Sequence, residues 1–343
     1  MKPKDYLKFI EELDELEQIE HYIKSGKLRK AYQLRNPKKI SERDRNFIVE
    51  QDDSRKSFEF TYKASRHEAG WLLDSLGMFY EGKWISNVLR QIKGGKEANV
   101  YLCRSGIGVD RPYLAAKVYR PRMFRNLKND SQYRVGRQDL DSSGNPIFDD
   151  GALHAIEKRT NFGEKLRHQS WIAYEYRTLQ TLDEAGANVP KPYAMGNNAI
   201  LMEYIGDPEV AAPTLQTVDL EPVEAERIFA RVLWNVDLML SNEIVHGDLS
   251  AYNILSWKGD IKLIDFPQVV SSVSNPAAWS IFLRDITRIC EFFALQGVDS
   301  DAGQVAMELW RSHGNKVRKD VHPLYLDADN DDDRILWNEQ NTK

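Results

Sequence analysis

The stretch Ile244-Val-His-Gly-Asp-Leu-Ser-Ala-Tyr-Asn-Ile-Leu255 decides the fold of this chain, and the segment Ile261-Lys-Leu-Ile-Asp-Phe-Pro-Gln268 follows closely. The first segment carries Asp248 and Asn253, and the second carries Asp265. Such a set suits phosphoryl transfer from a metal-bound nucleotide: one carboxylate orients the nucleophile, while the amide and the other carboxylate bind Mg²⁺. The sequence therefore predicts a phosphoryl-transfer centre here.

The bulk composition indicates a folded protein of one large or two medium domains. The chain has 343 residues, a net charge of -5 and two cysteines, Cys103 and Cys290, far apart in sequence. We expect both to be apolar core residues in a reducing compartment, without a disulfide. The amino terminus has no apolar signal region, and no 18-residue apolar run occurs, so we predict a cytoplasmic protein without a membrane span.

A β-rich lobe is predicted upstream of the central stretch. Candidate strands cover 86–92, 98–104 and 113–119, and two more follow Pro192 and end before Gly206. A glycine turn separates the first two strands. Glycines there let backbone N–H groups approach phosphate oxygens, although ordinary hairpin turns also use them. We therefore predict a five-stranded sheet that covers a nucleotide.

Lys117 lies inside the apolar third strand, where an unpaired buried ammonium would be costly. A helix predicted over 169–185 places Glu175 on the same face as Trp171 and Leu179. We predict a Lys117–Glu175 ion pair that holds the lysine against the nucleotide phosphates. A lysine that points to water from an edge strand is the alternative.

Four regions follow from these patterns. We expect a helical extension and tether over 1–57, the β-rich lobe over 58–205, a mainly helical lobe over 206–322 and an acidic tail over 323–343. Asp285 lies within an apolar helix of the second lobe. It is interpreted either as a buried acid that holds the catalytic-loop backbone or as part of a surface salt bridge.

A polar insertion is predicted at 121–168, within the first lobe. Its first part is basic and contains Arg122, Arg125, Lys128, Arg134 and Arg137. A solvated mobile loop is one interpretation. A patch that binds RNA phosphates or an acidic protein surface is the other.

Together these motifs resemble the RIO family of atypical serine/threonine protein kinases, in the subfamily without an amino-terminal winged helix. The phosphate loop is 95–101, the lysine strand 116–119, the catalytic loop 246–253 and the metal loop 265–268. The resemblance implies an α+β, bilobal protein-kinase-like fold. Its N-lobe would be a five-stranded sheet with one main helix, and its C-lobe would be short and mainly helical.

The resemblance also implies roles for individual residues. Asp248 and Asp265 are the expected catalytic residues, and Asn253 and Asp265 the expected metal ligands. The expected nucleotide-binding residues are Lys96, Glu97, Ala98, Val100, Lys117, Glu175, Met202, Glu203 and Tyr204. The implied cofactors are ATP and Mg²⁺, with Mn²⁺ as a second candidate ion. The implied context is ribosomal small-subunit maturation, with pre-ribosomal RNA or protein as partner of the insertion.

Two departures from ordinary protein kinases favour ATP cleavage over peptide phosphorylation. Gly247 stands where those kinases carry arginine, and no Ala-Pro-Glu segment follows Asp265 before the next helix. By analogy with relatives, Asp265 is a candidate phosphate acceptor in an ATPase switch. An aminoglycoside- or choline-type small-molecule kinase is the alternative enzyme, and a pseudokinase scaffold is the alternative without catalysis.

Overall fold

The computed structural model describes residues 58, 60–95, 97–120, 137–142 and 144–315. The predicted extension over 1–57 and the acidic tail over 323–343 lie outside this part of the chain. The helices are α1 (Arg66–Glu81), α2 (Asp150–Glu157), α3 (Asn161–Glu184), α4 (Pro222–Ser241), α5 (Ala278–Leu295) and α6 (Ala302–Ser312). The strands are β1 (Ile85–Lys93), β2 (Ala98–Ser105), β3 (Tyr113–Tyr119), β4 (Pro192–Met195), β5 (Ala199–Glu203), β6 (Ile244–Val245), β7 (Ile254–Trp257), β8 (Asp260–Leu263) and β9 (Val270–Ser271).

A five-stranded antiparallel sheet forms the first lobe, in the order β1-β2-β3-β5-β4. Successive side chains of a strand point to opposite faces. Leu114, Ala116 and Val118 of β3 accordingly pack in one cluster with residues of α1. Lys117 belongs to the other face, together with Tyr119, which packs against α3. The sheet therefore presents the lysine on the side away from α1.

Helix α3 begins at Asn161 rather than at the predicted Gln169. The side chain of Thr160 caps it by accepting a hydrogen bond from the N–H of Gly163 at 3.1 Å. Asp149 caps α2 in the same way. The interpretation of 121–168 as one mobile loop is therefore wrong for residues 150–168, because two capped helices occupy most of that stretch.

The second lobe packs α4, α5 and α6 around one apolar core, as the helical pattern predicts. Val232 of α4, Ile289 of α5 and Trp310 of α6 are all buried in this core. Strands β7 and β8 form an antiparallel hairpin, and β6 pairs with β9. The β6–β9 pair places the start of the catalytic loop beside the end of the metal loop. The described chain is thus α+β and two-lobed, as predicted.

Both cysteines are buried free thiols, as the sequence indicates. Burial raises the pKa of Cys103 to about 12. Among the described residues, no helix combines the length and apolarity that crossing a membrane requires.

Candidate active site

The catalytic loop turns sharply at Gly247, immediately after β6. This residue has φ +84°, and a Cβ there would lie 2.1 Å from the carbonyl oxygen of Gln268. Only glycine fits such a close approach in a left-handed conformation. The arginine that ordinary protein kinases carry here would therefore not fit this backbone.

Asp285 of α5 supports the same loop from the core side. Its side chain is 2% exposed, and its Oδ2 accepts a hydrogen bond from the N–H of Gly247 at 2.8 Å. Burial raises the pKa of Asp285, although His246 and Arg284 oppose the shift. The interpretation of Asp285 as a buried acid that holds the catalytic loop is confirmed, and the surface alternative is wrong.

Asp248 and Asn253 are joined within the loop. The side-chain nitrogen of Asn253 donates to the Asp248 carbonyl oxygen at 2.8 Å and lies 3.3 Å from Asp248 Oδ2. The other carboxylate oxygen of Asp248 contacts Nη1 of Arg288 at 2.9 Å. The N–H of Ile264 donates to the carbonyl of Asn253 at 2.9 Å, which brings Asp265 beside the loop.

Lys117 joins both lobes through two carboxylates. Its Nζ lies 2.6 Å from Glu175 Oε1 in α3 and 2.5 Å from Asp265 Oδ1 in the metal loop. The side chain of Glu175 is 1% exposed, whereas that of Asp265 is 40% exposed. The predicted Lys117–Glu175 ion pair is therefore confirmed. Asp265 has φ +72°, a conformation in which aspartate is among the better-tolerated residues.

The charges of this cluster stabilise one another. Desolvation opposes ionisation of Asp265, but the charge and hydrogen bond of Lys117, together with the charges of His246 and Lys93, hold the pKa of the carboxyl below its usual value. Burial also opposes the charge of Lys117, but Asp265 and Glu175 together raise the pKa of the ammonium. Asp265 and Lys117 are consequently both charged at neutral pH.

The glycine turn carries a carboxyl, Glu97, that interacts electrostatically with this cluster. A Cβ at Gly95 would come within 2.7 Å of the Ala98 carbonyl oxygen, so the turn requires a small residue there. Burial, and then the charge of Asp265, raises the pKa of Glu97, which places this carboxyl near the metal loop. Lys96 lies outside the described residues.

Glu203 and Tyr204, two of the expected nucleotide-binding residues, use their side chains for other contacts. The carboxylate of Glu203 pairs with Arg111 at 2.9 Å and with Lys262 at 3.4 Å. The backbone N–H of Glu203 donates to the Lys191 carbonyl oxygen at 2.8 Å. The hydroxyl of Tyr204 donates to a backbone carbonyl of the crossover at 2.8 Å. The N–H of Glu203 is therefore already bonded and is not free to bind an adenine edge.

Comparison with protein-family models matches residues 99–305 to the RIO domain. The matched segment is more than half of the chain and includes Lys117, Glu175, Asp248, Asn253 and Asp265. The chain belongs to the RIO domain family. The resemblance stated from the sequence motifs is thereby confirmed, and a small-molecule kinase is not favoured.

Relatives of this RIO domain include proteins named RIO-type serine/threonine-protein kinase Rio1. The one from Haloferax volcanii is 33% identical over 214 residues, covering 61% of this chain and 64% of the relative. The one from Methanocaldococcus jannaschii is 29% identical over 290 residues, covering 84% and 86%. The human serine/threonine-protein kinase RIO1 is 26% identical over 214 residues, covering 60% and 33%. A crystal structure of the Rio2 kinase-ADP/Mg²⁺-phosphoaspartate complex from Chaetomium thermophilum aligns with TM-score 0.47 and 19% identity, covering 72% of each chain.

Three contacts of the RIO domain were not predicted. Tyr119 donates its hydroxyl to the second oxygen of Glu175 and so fixes that carboxylate. Arg288 contacts Asp248. Arg137, expected in a basic partner patch, instead donates to the Pro267 and Val269 carbonyl oxygens, each at 3.1 Å. Spacing in β3 offered a signal only for Tyr119, because it lies two residues after Lys117 on the same face.

Proposed function

We propose that this RIO domain is an ATP- and Mg²⁺-dependent phosphotransferase that delivers the γ-phosphoryl group to a serine or threonine hydroxyl or to water. The observation that carries the proposal is the position of the Lys117 ammonium between Glu175 and Asp265, 2.6 and 2.5 Å away. A lysine fixed in this way presents one positive charge to phosphate oxygens beside a carboxylate suited to Mg²⁺.

The proposed roles follow from these contacts. Glu175, held by Tyr119, orients Lys117 toward the α- and β-phosphates. Asp248 accepts a hydrogen bond from the attacking hydroxyl and takes its proton. The bond from the γ-phosphorus to the acceptor oxygen forms as the bond to the ADP oxygen breaks. Mg²⁺, when bound, neutralises charge on the phosphate oxygens.

Asn253 and Asp265 fit a metal ion that is shared with the nucleotide. The nitrogen of Asn253 is committed to Asp248, so its oxygen is the atom left to bind a cation. Asp265 is ionised and partly exposed. Among the described residues, no group of three or more His, Cys, Asp or Glu could hold a metal. Two protein ligands suit Mg²⁺, which keeps water and phosphate oxygens, and Mn²⁺ prefers similar ligands.

We propose that the adenine ring lies against the sheet face that also carries Lys117. Val100 is the cross-strand partner of Lys117, and Met202 is the partner of Ala115. Val100, Ala115 and Met202 pack in one apolar cluster, and Ala98 packs in the neighbouring cluster with Tyr119. These side chains offer the apolar surface that a base requires.

ATP turnover in the full chain tests the proposal. Asp248→Asn and Asp265→Asn should each lower the rate by about 10²-fold or more, as expected for loss of a positioned acid–base group or a metal ligand. Asp299→Asn, which changes an exposed aspartate, is the matched control. Turnover that survives both site substitutions at the wild-type rate would show that the assignment is wrong.

The acceptor of the phosphoryl group is decided in the same samples. Phosphate on a serine or threonine hydroxyl resists hydroxylamine, whereas an aspartyl-phosphate is labile to it. Because Asp265→Asn lowers turnover whichever group accepts phosphate, hydroxylamine-labile label mapped to the peptide that contains Asp265 in the wild-type protein would assign Asp265 as acceptor. In that case its carboxylate oxygen forms the bond to the γ-phosphorus, ADP leaves, and water later releases phosphate.

We propose a context in ribosomal small-subunit maturation on the basis of the resemblance, and a cytoplasmic location on the basis of the sequence. Binding of pre-ribosomal RNA or protein is proposed from the charges of Arg122, Arg125, Lys128 and Arg134, which lie outside the described residues. We assign Arg137 to the metal loop rather than to a partner. Neutralising the other four should abolish salt-sensitive ribosomal RNA binding, and unchanged binding would remove the RNA proposal.

A further inference from the structure

Helix α5 contacts the catalytic loop with three side chains on one face. Asp285 accepts from the Gly247 N–H, and Arg284 donates to the Gly247 carbonyl oxygen. Both of these contacts hold loop backbone. Arg288, one turn further along α5, instead reaches the carboxylate of Asp248, with Nη1 2.9 Å from Oδ1.

The two oxygens of Asp248 have different neighbours. Oδ2 lies 3.3 Å from the side-chain nitrogen of Asn253, which belongs to the loop itself. Oδ1 faces Arg288, and the two side chains are 43% and 41% exposed. An acceptor hydroxyl that approaches from solvent therefore meets Oδ1 and the guanidinium together. Whatever chemical group flanks that hydroxyl comes within reach of Arg288.

The guanidinium is suited to bind a second ligand. Arginine has five N–H donors in a planar fork that matches carboxylate or phosphate oxygens. Within the described part of the chain, Asp248 is the hydrogen-bond partner of Arg288, through Nη1. Ion pairs between partly exposed groups contribute little stability, so the contact yields readily to an incoming anion.

We propose that Arg288 is an acceptor-binding residue that selects a serine or threonine hydroxyl flanked by an anionic group in a peptide. This inference rests on the proposed phosphotransferase function and adds the chemistry of its acceptor. The anion pairs with the guanidinium and thereby draws it toward the acceptor, which leaves Oδ1 of Asp248 to the hydroxyl. A neutral acceptor also has to displace the contact between Arg288 and Asp248, but it offers the guanidinium no anion in return.

Matched peptides test the proposal with the full chain, ATP and Mg²⁺. One peptide has serine flanked by glutamates, and the other has serine flanked by glutamines. The wild-type kcat/KM should be about tenfold higher for the acidic peptide, as expected for one charge-assisted contact, and the preference should weaken as salt is raised. A third peptide with a neighbouring phosphoserine identifies the anion: a preference above that for glutamate assigns phosphate, and the reverse assigns carboxylate.

The ratio of the two rates separates acceptor binding from a structural role. Arg288→Gln should bring the ratio of acidic to neutral peptide close to one, and Arg288→Lys should keep part of it because the charge remains without the fork. Arg311→Gln, at an exposed position of α6, is the control and should keep the wild-type ratio. If Arg288→Gln slows both peptides equally, Arg288 only positions Asp248 and the inference is overturned.

ATP consumption in the same samples separates failure of the acceptor inference from failure of the proposed function. Wild-type protein that hydrolyses ATP but phosphorylates neither peptide, or both at equal rates, refutes the acceptor inference and leaves ATP cleavage intact. Wild-type protein that consumes no ATP refutes the proposed function itself.

Discussion

Replacing Lys117 with methionine should destabilise the protein more than any conservative change of its partners. The change leaves Glu175 buried without a counter-ion, whereas Asp265 remains partly solvated. Loss of one partner from a buried pair costs about 3 kcal/mol at the lower end of the measured range. Glu175→Gln should cost only about 1 kcal/mol, because Lys117 keeps Asp265 and Tyr119 keeps an oxygen to bond.

The double variant Lys117→Met/Glu175→Gln tests whether Lys117 compensates the charge of Glu175. Removing the orphaned carboxylate should relieve part of the cost, so the double variant should lose about 2 kcal/mol rather than the additive sum of about 4 kcal/mol. Urea unfolding of the four proteins measures the cycle. Lys165→Met, at an exposed position of α3, is the control and should lie within about 0.5 kcal/mol of wild type. Additive losses would refute the idea that Lys117 compensates Glu175.

The pH dependence of the same cycle has a defined sign. The pKa of Asp265 lies below its usual 3.8, so its pairing stabilises the fold above that pH and is lost as pH falls through the folded-state pKa. The pKa of Lys117 lies above its usual 10.5, so its contribution is full below that pH and is lost as pH rises further. The difference in the free energy of unfolding between wild type and Lys117→Met should therefore be greatest between about pH 4 and 10, and it should become smaller in acid.

Three further substitutions test contacts around the site. Gly247→Ala places a Cβ 2.1 Å from a backbone oxygen, so it should lower ATP turnover by about 10²-fold, and unchanged kinetics would contradict the tight turn. Arg137→Met removes the hydrogen bonds to the Pro267 and Val269 carbonyl oxygens, so half-maximal turnover should need several-fold more Mg²⁺. An unaltered Mg²⁺ titration would argue against a role of Arg137 in supporting the metal loop. Lys262→Met removes one of two cationic partners of buried Glu203 and should cost about 1 kcal/mol in urea unfolding, whereas a loss near zero would make Arg111 a sufficient partner.

Local sequence patterns predicted the parts of the site that depend on regular geometry. The lysine inside the apolar run of β3 and the helical spacing of Glu175 in α3 were the basis for predicting the Lys117–Glu175 pair. The position of Asp285 within an apolar helix left two interpretations open, and the one in which it bonds to loop backbone is confirmed. These outcomes follow because strand and helix periodicities fix side-chain directions before tertiary packing is known.

Contacts between distant segments were not predictable in the same way. Arg137 bonds to carbonyls about 130 residues further along the chain, where no periodicity relates the two segments. Its charge suggested a partner surface, but burial against the metal loop gave it another role. The start of α3 was missed because charged residues obscured the apolar pattern, although Thr160 is a good capping residue.

The position of Lys117 has a consequence for how the two lobes stay together. Its ammonium lies between a carboxylate of the first lobe and a carboxylate of the second, so the lobes share an ionic link in this arrangement. Under the proposed function, a nucleotide whose metal binds Asp265 and whose phosphates bind Lys117 would replace that ionic link with one that passes through the ligand. The two lobes would then be connected both before and after the nucleotide binds, first by the ion pairs of Lys117 and afterwards by the ligand.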